Sequence, residues 1–383
     1  MYRLTDYGSM LADRRRVEAY RRALAAVITP SSVVLDIGAG LGTFSLLAAK
    51  LGAARVYAVE PADVIKVAKN IAEANGVGDR ITFIQTHAAE LELPEQVDVI
   101  VSDLAGALPL FGEHLPSIIH VRDRFLRPGG ALIPDRDRLM CAPLSSAEVY
   151  AQIVEPWRSL PEIDLSVAER MALNATYALP IQPSQIVAEP KCWATLDYGT
   201  ITSPNVRAEV EWRLDAPAII HGIALWFESG LGFSSGPWHP DSVQSTMVLP
   251  LIEPLPIDAG EELRVAIWAT LASGQYVMTW QVGTGVLQGT LMSEPARVNN
   301  TSGAPAHVIA TTVGDETLLL DLAAGIYHVL NDTGARVWQL MTEGKAVQAI
   351  VKEIAAEYDV DEQTVATDVA SVVLQLKEAS LIE

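Results

Sequence analysis

The chain has 383 residues, half of them apolar and 19% charged, with 27 Lys and Arg against 47 Asp and Glu for a formal charge of −20. This composition excludes a disordered chain, the length excludes one ordinary core, and the acidity argues against nucleic acid or an anionic membrane as partner while suiting a basic peptide. Two cysteines, Cys141 and Cys192, form no CxxC pair and no histidines cluster at ligand spacing, so neither a disulfide framework nor a metal site is expected. The opening MYRLTDYG lacks a basic stretch followed by an apolar run, and no apolar segment reaches the roughly 18 residues of a membrane span. A cytoplasmic protein is the expectation.

In chain order, an Arg-rich helical segment from about Tyr7 to Ala25 precedes a short apolar strand at Val33–Ile37. Helix at Leu41–Leu51, strand at Arg55–Val59, helix at Ala62–Asn75, and strands at Ile81–Gln85 and Val97–Ser102 follow. This alternation predicts a doubly wound α/β domain on a parallel sheet. A helix over Leu115–Leu126 is expected to stop at Pro128, Gly129 and Gly130, with a last strand at Ala131–Pro134, so that residues 1–138 form the first domain.

From Leu139 to Val298 short β-branched and aromatic runs take over, at Val206–Leu214, Ile219–Glu228, Val243–Leu251 and Leu263–Thr270. They predict a β-barrel or sandwich over 139–298, with residues 155–185 as an excursion from it. The polar stretch Val298–Pro305 reads as a linker. Beyond it, over 306–383, a hairpin of Leu318–Asp321 and Ile326–Leu330 and helices near Thr333–Met341, Lys345–Tyr358 and Asp361–Ala379 predict a small α+β unit.

The segment VLDIGAGLG, Val34–Gly42, sets a glycine-rich turn between a buried strand and a helix, where backbone N–H groups can approach a ligand closely. Glu60 ends the next strand, 18 residues after Gly42, where a carboxylate can accept both hydroxyls of a ribose. The spacing of Gly38, Gly40 and Gly42 is G-x-G-x-G and not the dinucleotide form G-x-G-x-x-G, which favours a nucleoside methyl donor over a nicotinamide.

Residues 10–21, MLADRRRVEAYR, followed by this turn, resemble the protein arginine methyltransferases, and the resemblance extends over about residues 7–298. It implies S-adenosyl-L-methionine as cofactor. Arg16 would bind the donor's carboxylate, Asp36, Gly38 and Gly40 would line its amino-acid end, Glu60 the ribose and Glu90 the adenine side, with Tyr7 and Met10 over the sulfonium. The family's paired acceptor glutamates correspond to SDLAGALPLFGE, Ser102–Glu113. Glu113 matches the second, but Asp103 replaces the first, ten residues away, one more than the family's spacing. An aspartate reaches about a bond length less far than a glutamate, which opens the acceptor to nitrogens other than arginine's, or to oxygen. SGPWHPDS, residues 235–242, takes the place of the family's Thr-His-Trp loop without its order and would offer Trp238, His239 and Asp241 to the acceptor. The resemblance also implies a homodimer, with residues 155–185 as its arm.

Residues 308–383, with LLLDLAAGIYHVLNDTGARVWQLM, resemble PqqD-like domains, which bind leader peptides of ribosomally made, post-translationally modified peptides. The resemblance implies a winged-helix-like α+β fold and peptide contacts from Tyr327, Leu330 and Trp338, by strand addition to a sheet edge. The residues alone also read as core and turn. Joined, the two resemblances imply a tailoring methyltransferase that holds a precursor by its leader and methylates a side-chain nitrogen such as arginine's. Small-molecule methylation, or a non-catalytic peptide-presenting scaffold, are the other readings.

Overall fold

The computed structural model describes residues 4–382 apart from 105, 239–245, 273, 286, 291–304, 306–307, 314–315, 322–325, 359 and 380. Helices α1 (Leu4–Ala12) and α2 (Arg14–Val27) lead in. Asp13 separates them because its side chain accepts from the Arg16 N–H at 3.0 Å and caps α2. There follow β1 (Val33–Ile37), α3 (Thr43–Lys50), β2 (Arg55–Val59), α4 (Val64–Ala74), β3 (Ile81–Ile84), β4 (Val97–Ser102), α5 (His114–Phe125) and β5 (Leu126–Ile133).

The five strands form one sheet in the order β3-β2-β1-β4-β5, every neighbour parallel. β1 is buried along its whole length. Val34 packs with Tyr20, Leu24 and Phe44 on one face, while Leu35 and Ile37 pack with Val121 and Phe125 of α5 on the other. Helices on both faces are what an apolar run without alternation requires. The order reverses between β1 and β4, and ligands of open parallel sheets bind at the strands' carboxyl ends beside such a switch.

One expected boundary differs. Pro128, Gly129 and Gly130 do not separate α5 from the last strand but lie inside β5, where pairing jumps from Val97↔Leu126 to Val99↔Ala131. The extra residues form a bulge, and Gly129, at φ +75°, takes the left-handed backbone it needs.

Next come β6 (Arg136–Leu144), α6 (Ala147–Arg158), α7 (Ser166–Leu173), β7 (Tyr177–Leu179), β8 (Lys191–Asp197), β9 (Val206–Arg213), β10 (Ala218–Ser229), β11 (Thr246–Ile257), β12 (Glu262–Ala272), β13 (Gln275–Val282) and β14 (Gln288–Gly289). They make two antiparallel sheets, β7-β11-β10-β6-β8 and β14-β13-β12-β9, around one core that includes Leu139, Trp193, Trp212, Phe227, Leu249 and Trp280. The excursion is the pair α6 and α7, tied by Arg158 to Glu169 at 2.5 Å. It leaves Trp157, Leu160, Ile163 and Val167 exposed.

The third unit is a sheet β15-β16-β17 (Val308–Val313, Glu316–Asp321, Ile326–Leu330) with α8 (Asp332–Thr342), α9 (Val347–Tyr358) and α10 (Glu362–Glu378). The expected hairpin is present as β16 and β17, and β15 is an added strand. Asn331 caps α8 by accepting from the Gly334 N–H at 2.9 Å, and Asp361 caps α10. The linker Val298–Pro305 lies outside the described residues except for Pro305. Among the described residues no helix is long and apolar enough to cross a membrane, and no His, Cys, Asp or Glu cluster is set to hold a metal.

Candidate active site

A cleft of about 590 Å³ opens at the carboxyl ends of β1, β2 and β4. Its floor is the turn after β1, where Gly38, Gly40 and Gly42 have φ of +70°, +53° and +74°. A Cβ on Gly38 would come within 2.4 Å of Leu104, and one on Gly40 within 2.7 Å of Tyr7. The glycines therefore meet both a backbone and a space requirement. Gly38 and Ala39 N–H groups donate to the Val59 carbonyl at 2.9 and 3.0 Å, which hangs the turn from the end of β2.

Glu60, one residue beyond β2, fastens the same turn. Its carboxylate accepts from the Gly40 N–H at 3.1 Å and the Ala62 N–H at 2.9 Å. Each oxygen keeps a lone pair for a hydroxyl donor.

Arg16 is buried, and its guanidinium spans the cleft wall: Nη1 pairs with Asp103 Oδ2, and Nη2 donates to the Met10 carbonyl at 2.8 Å. Among the described residues Arg16 Nε and Asp103 Oδ1 are buried without a partner. Burial pushes the Asp103 carboxyl above its ordinary value and the Arg16 guanidinium opposes it. Tyr20 donates to the Ser102 carbonyl at 2.9 Å and holds the end of β4 against α2.

Two of the expected donor residues do not line the cleft. Asp36 is 1% exposed and turned inward, accepting from Ser45 N–H at 2.9 Å and Ser45 Oγ–H at 2.6 Å, so it ties β1 to α3. Burial raises its carboxyl to about 7. Glu90 is exposed at the end of a short 3-10 turn, and Thr86, His87 and Ala88 form the cleft wall in its place. A bare sequence position could not tell a residue at the turn's start from one at its end.

The expected acceptor residues lie on the loop between β4 and α5, which also lines the cleft. Leu108 and Leu110 are buried in the core between the two antiparallel sheets, and Ser235 Oγ–H donates to the Ala107 carbonyl at 3.3 Å. Between these anchors and α5, Phe111 is 50% exposed and Glu113 stands exposed at the N-cap of α5. Among the described residues the Glu113 carboxylate has no ion pair, and it lies beside Gly274 of the β12–β13 turn. His114 closes the floor behind it. It is buried, its Nε2 lies 3.4 Å from Tyr198 Oη, and Tyr198 donates to Asp137 at 2.7 Å. Burial pushes His114 down to about 4, so the ring is neutral, and raises Asp137 to about 7. Neither Phe111 nor His114 was singled out in the sequence.

Of the loop across the cleft, Trp238 is exposed with its ring 5.7 Å from Trp226, while His239 and Asp241 lie outside the described residues. In the third unit Tyr327 sits in β17 opposite Leu320. Leu330 is half-buried against Trp338, which is 3% exposed among Val308, Leu319 and Leu376, so Trp338 holds the unit from within.

The cleft can thus seat a nucleoside on the glycine turn, bind its ribose at Glu60 and offer one carboxylate at the far side to a cationic or proton-bearing nucleophile. The unpartnered Arg16 Nε and the glycine cradle fit an amino-acid-bearing nucleoside.

Comparison with known proteins agrees with this geometry. A family profile described as methyltransferase domain matches residues 34–130, and the profile of coenzyme PQQ synthesis protein D (PqqD) matches residues 316–382. The chain is 33% identical over 231 residues to probable protein arginine N-methyltransferase 6 of Arabidopsis thaliana, 58% of this chain and 53% of that protein. It is 32% identical over 269 residues to protein arginine N-methyltransferase 1.1 of the same plant, 67% of this chain and 69% of that protein. The chain therefore spans about half of the first relative and about two thirds of the second. Among solved structures, the Trypanosoma brucei PRMT1 enzyme–prozyme complex with AdoHcy superposes with a TM-score of 0.68 at 25% identity, over 74% of this chain and 96% of that one. Arabidopsis thaliana protein arginine methyltransferase 10 shares the fold with a TM-score of 0.63 at 20% identity, over 75% and 97%.

Proposed function

The chain belongs to the protein arginine N-methyltransferase family, and from that premise we propose that it is an S-adenosylmethionine-dependent methyltransferase of a ribosomally made precursor peptide, whose leader the PqqD domain binds. One observation carries the reading: a single cleft joins a glycine cradle, a ribose-ready Glu60 and an unpartnered Arg16 Nε to an exposed carboxylate at Glu113.

When bound, S-adenosylmethionine supplies a methyl group on a sulfonium, open to in-line attack. Gly38 and Gly40 hold the backbone close, Glu60 accepts from the ribose hydroxyls, and Tyr7 and Met10 cover the cleft from α1. Glu113 orients the acceptor nitrogen and keeps its positive charge neutralised during transfer. Phe111 and Leu104 exclude water from the wall between them.

The PqqD match and the sheet β15-β16-β17, whose outer strands are β15 and β17, support leader capture by strand addition. Tethering the precursor raises the effective concentration of its core at the cleft. The exposed apolar residues of α6, α7 and the segment between them support a homodimer through this arm, since a row of that kind covers itself on a partner. The absence of a basic surplus supports a peptide over nucleic acid as substrate.

Co-expression with a candidate leader-bearing precursor peptide, followed by mass spectrometry, tests the reading. A gain of 14 Da or its multiples, about one methyl each, is expected on the core with wild type and not with Glu113→Gln. An unmodified core beside a correctly folded, donor-binding wild type refutes it.

A further inference from the structure

The ion pair on the cleft wall leaves one donor and one acceptor unused. Arg16 spends Nη1 on Asp103 and Nη2 on the Met10 carbonyl, and its Nε is buried without a partner among the described residues. Asp103 spends Oδ2 on Arg16, and its Oδ1 is likewise buried with no hydrogen bond of its own: the Tyr20 hydroxyl lies beside the carboxyl but donates its proton to the Ser102 carbonyl. Buried polar groups of native proteins are satisfied, so a lone N–H and a lone carboxylate oxygen on one pair, at one cleft, ask for a ligand carrying both signs. The amino-acid end of S-adenosylmethionine is such a group, with a carboxylate and an ammonium on one carbon.

Resting on the donor reading above, we propose that Asp103 belongs to the donor site. Its Oδ1 accepts from the donor's ammonium while Arg16 Nε–H donates to the donor's carboxylate. The topology agrees. Ile37 and Ser102 pair across β1 and β4, so Asp103 leaves its strand level with Gly38, and Leu104 next to it packs onto Gly38. Glu113, by contrast, stands exposed at the N-cap of α5, beyond Leu108 and Leu110, which root the loop in the next core. On this assignment Asp103 is committed to Arg16 and the donor, and not to the acceptor. Among the described residues of this loop, the acceptor is then left one carboxylate, Glu113, where the sequence suggested two.

Calorimetry with two ligands tests this. S-Adenosylhomocysteine carries the amino-acid end; 5′-methylthioadenosine keeps the nucleoside and sulfur and lacks it. Asp103→Asn should weaken S-adenosylhomocysteine by about tenfold or more, the loss expected for a charge-assisted hydrogen bond, and leave 5′-methylthioadenosine unchanged. Equal affinity of wild type and variant for S-adenosylhomocysteine overturns the assignment, as does an equal loss of both ligands, which marks a merely structural residue. Should the variant not fold, wild type alone decides: decarboxylated S-adenosylhomocysteine, which keeps the ammonium, should bind several-fold tighter than 5′-methylthioadenosine, about the strength of one charged contact, and equal binding overturns it. Wild type binding none of these ligands would instead refute the donor site itself, and the assignment with it.

Discussion

On the proposed reading, the donor wall of the cleft is floored by backbone with side chains at its edges, and the acceptor wall is a loop held at its back. Gly38 to Gly42 hang between β1 and α3, fastened by Val59 and Glu60 through hydrogen bonds. The acceptor loop buries Leu108 and Leu110 in the next domain and presents Phe111 and Glu113 to solvent. A site made of backbone geometry is fixed once the fold is fixed, whereas a loop with a rigid root and exposed tip changes its contacts without cost to the core. The cofactor wall is thus pre-formed and the acceptor wall is the adaptable one.

The largest effect expected from this contrast is at Gly38. Gly38→Ala forces a left-handed residue, costing about 1–2 kcal/mol, and sets a Cβ within 2.4 Å of Leu104. Donor binding should fall below detection by calorimetry and the melting temperature should drop; a variant that binds S-adenosylhomocysteine normally would break the view of the donor wall as rigid. Glu113→Gln should act in the opposite sense, lowering methylation of the precursor by about a hundredfold, as for loss of one charge-stabilising group, with S-adenosylhomocysteine affinity unchanged. A parallel loss of donor affinity would erase the division between the walls.

A milder change is expected for Glu60→Ala. Affinity for S-adenosylhomocysteine and 5′-methylthioadenosine should fall together by about tenfold, the scale of a charged hydrogen bond, because both share the ribose. Retained affinity for either would remove Glu60 from the site. The smallest effect concerns His114, which burial holds neutral with its pKa pushed from 6.5 down to about 4. The unfolded chain takes up this proton first, so the group's contribution is full above pH 6.5 and is lost as pH falls towards 4. Asp36 and Asp137, raised to about 7 by burial, act with the opposite sign, costing stability as pH rises from about 4 to 7. Urea denaturation at pH 4.5 and 7.5 should therefore show a change in stability on acidification that is less favourable for wild type than for His114→Gln, whatever the net sign set by Asp36 and Asp137; an equal change in the two proteins would contradict a buried neutral ring.

The cleft's donor residues were legible to different degrees. Gly38, Gly40 and Glu60 follow from local spacing, because a strand, a turn and a following strand end dictate where backbone and carboxylate meet. Asp36 sits in the same motif yet faces Ser45, since alternate residues of β1 point to opposite faces and the turn decides which side meets ligand. Glu90 ends the 3-10 turn Ala88–Glu90 and is exposed, three positions beyond His87, which lines the cleft.

What the sequence by itself determined is the order of units, the parallel sheet, the glycine turn with its carboxylate, and the small α+β unit at the end. Those depend on periodicity, steric freedom and separations along the chain, all local quantities. Only the tertiary structure decided that Arg16 reaches across 87 residues to Asp103, that Leu108 and Leu110 root the acceptor loop in another core, and that His114 is buried against Tyr198. Pairings of that kind depend on how packed elements bring distant residues together, and a buried charge finds its partner only after packing has removed the water.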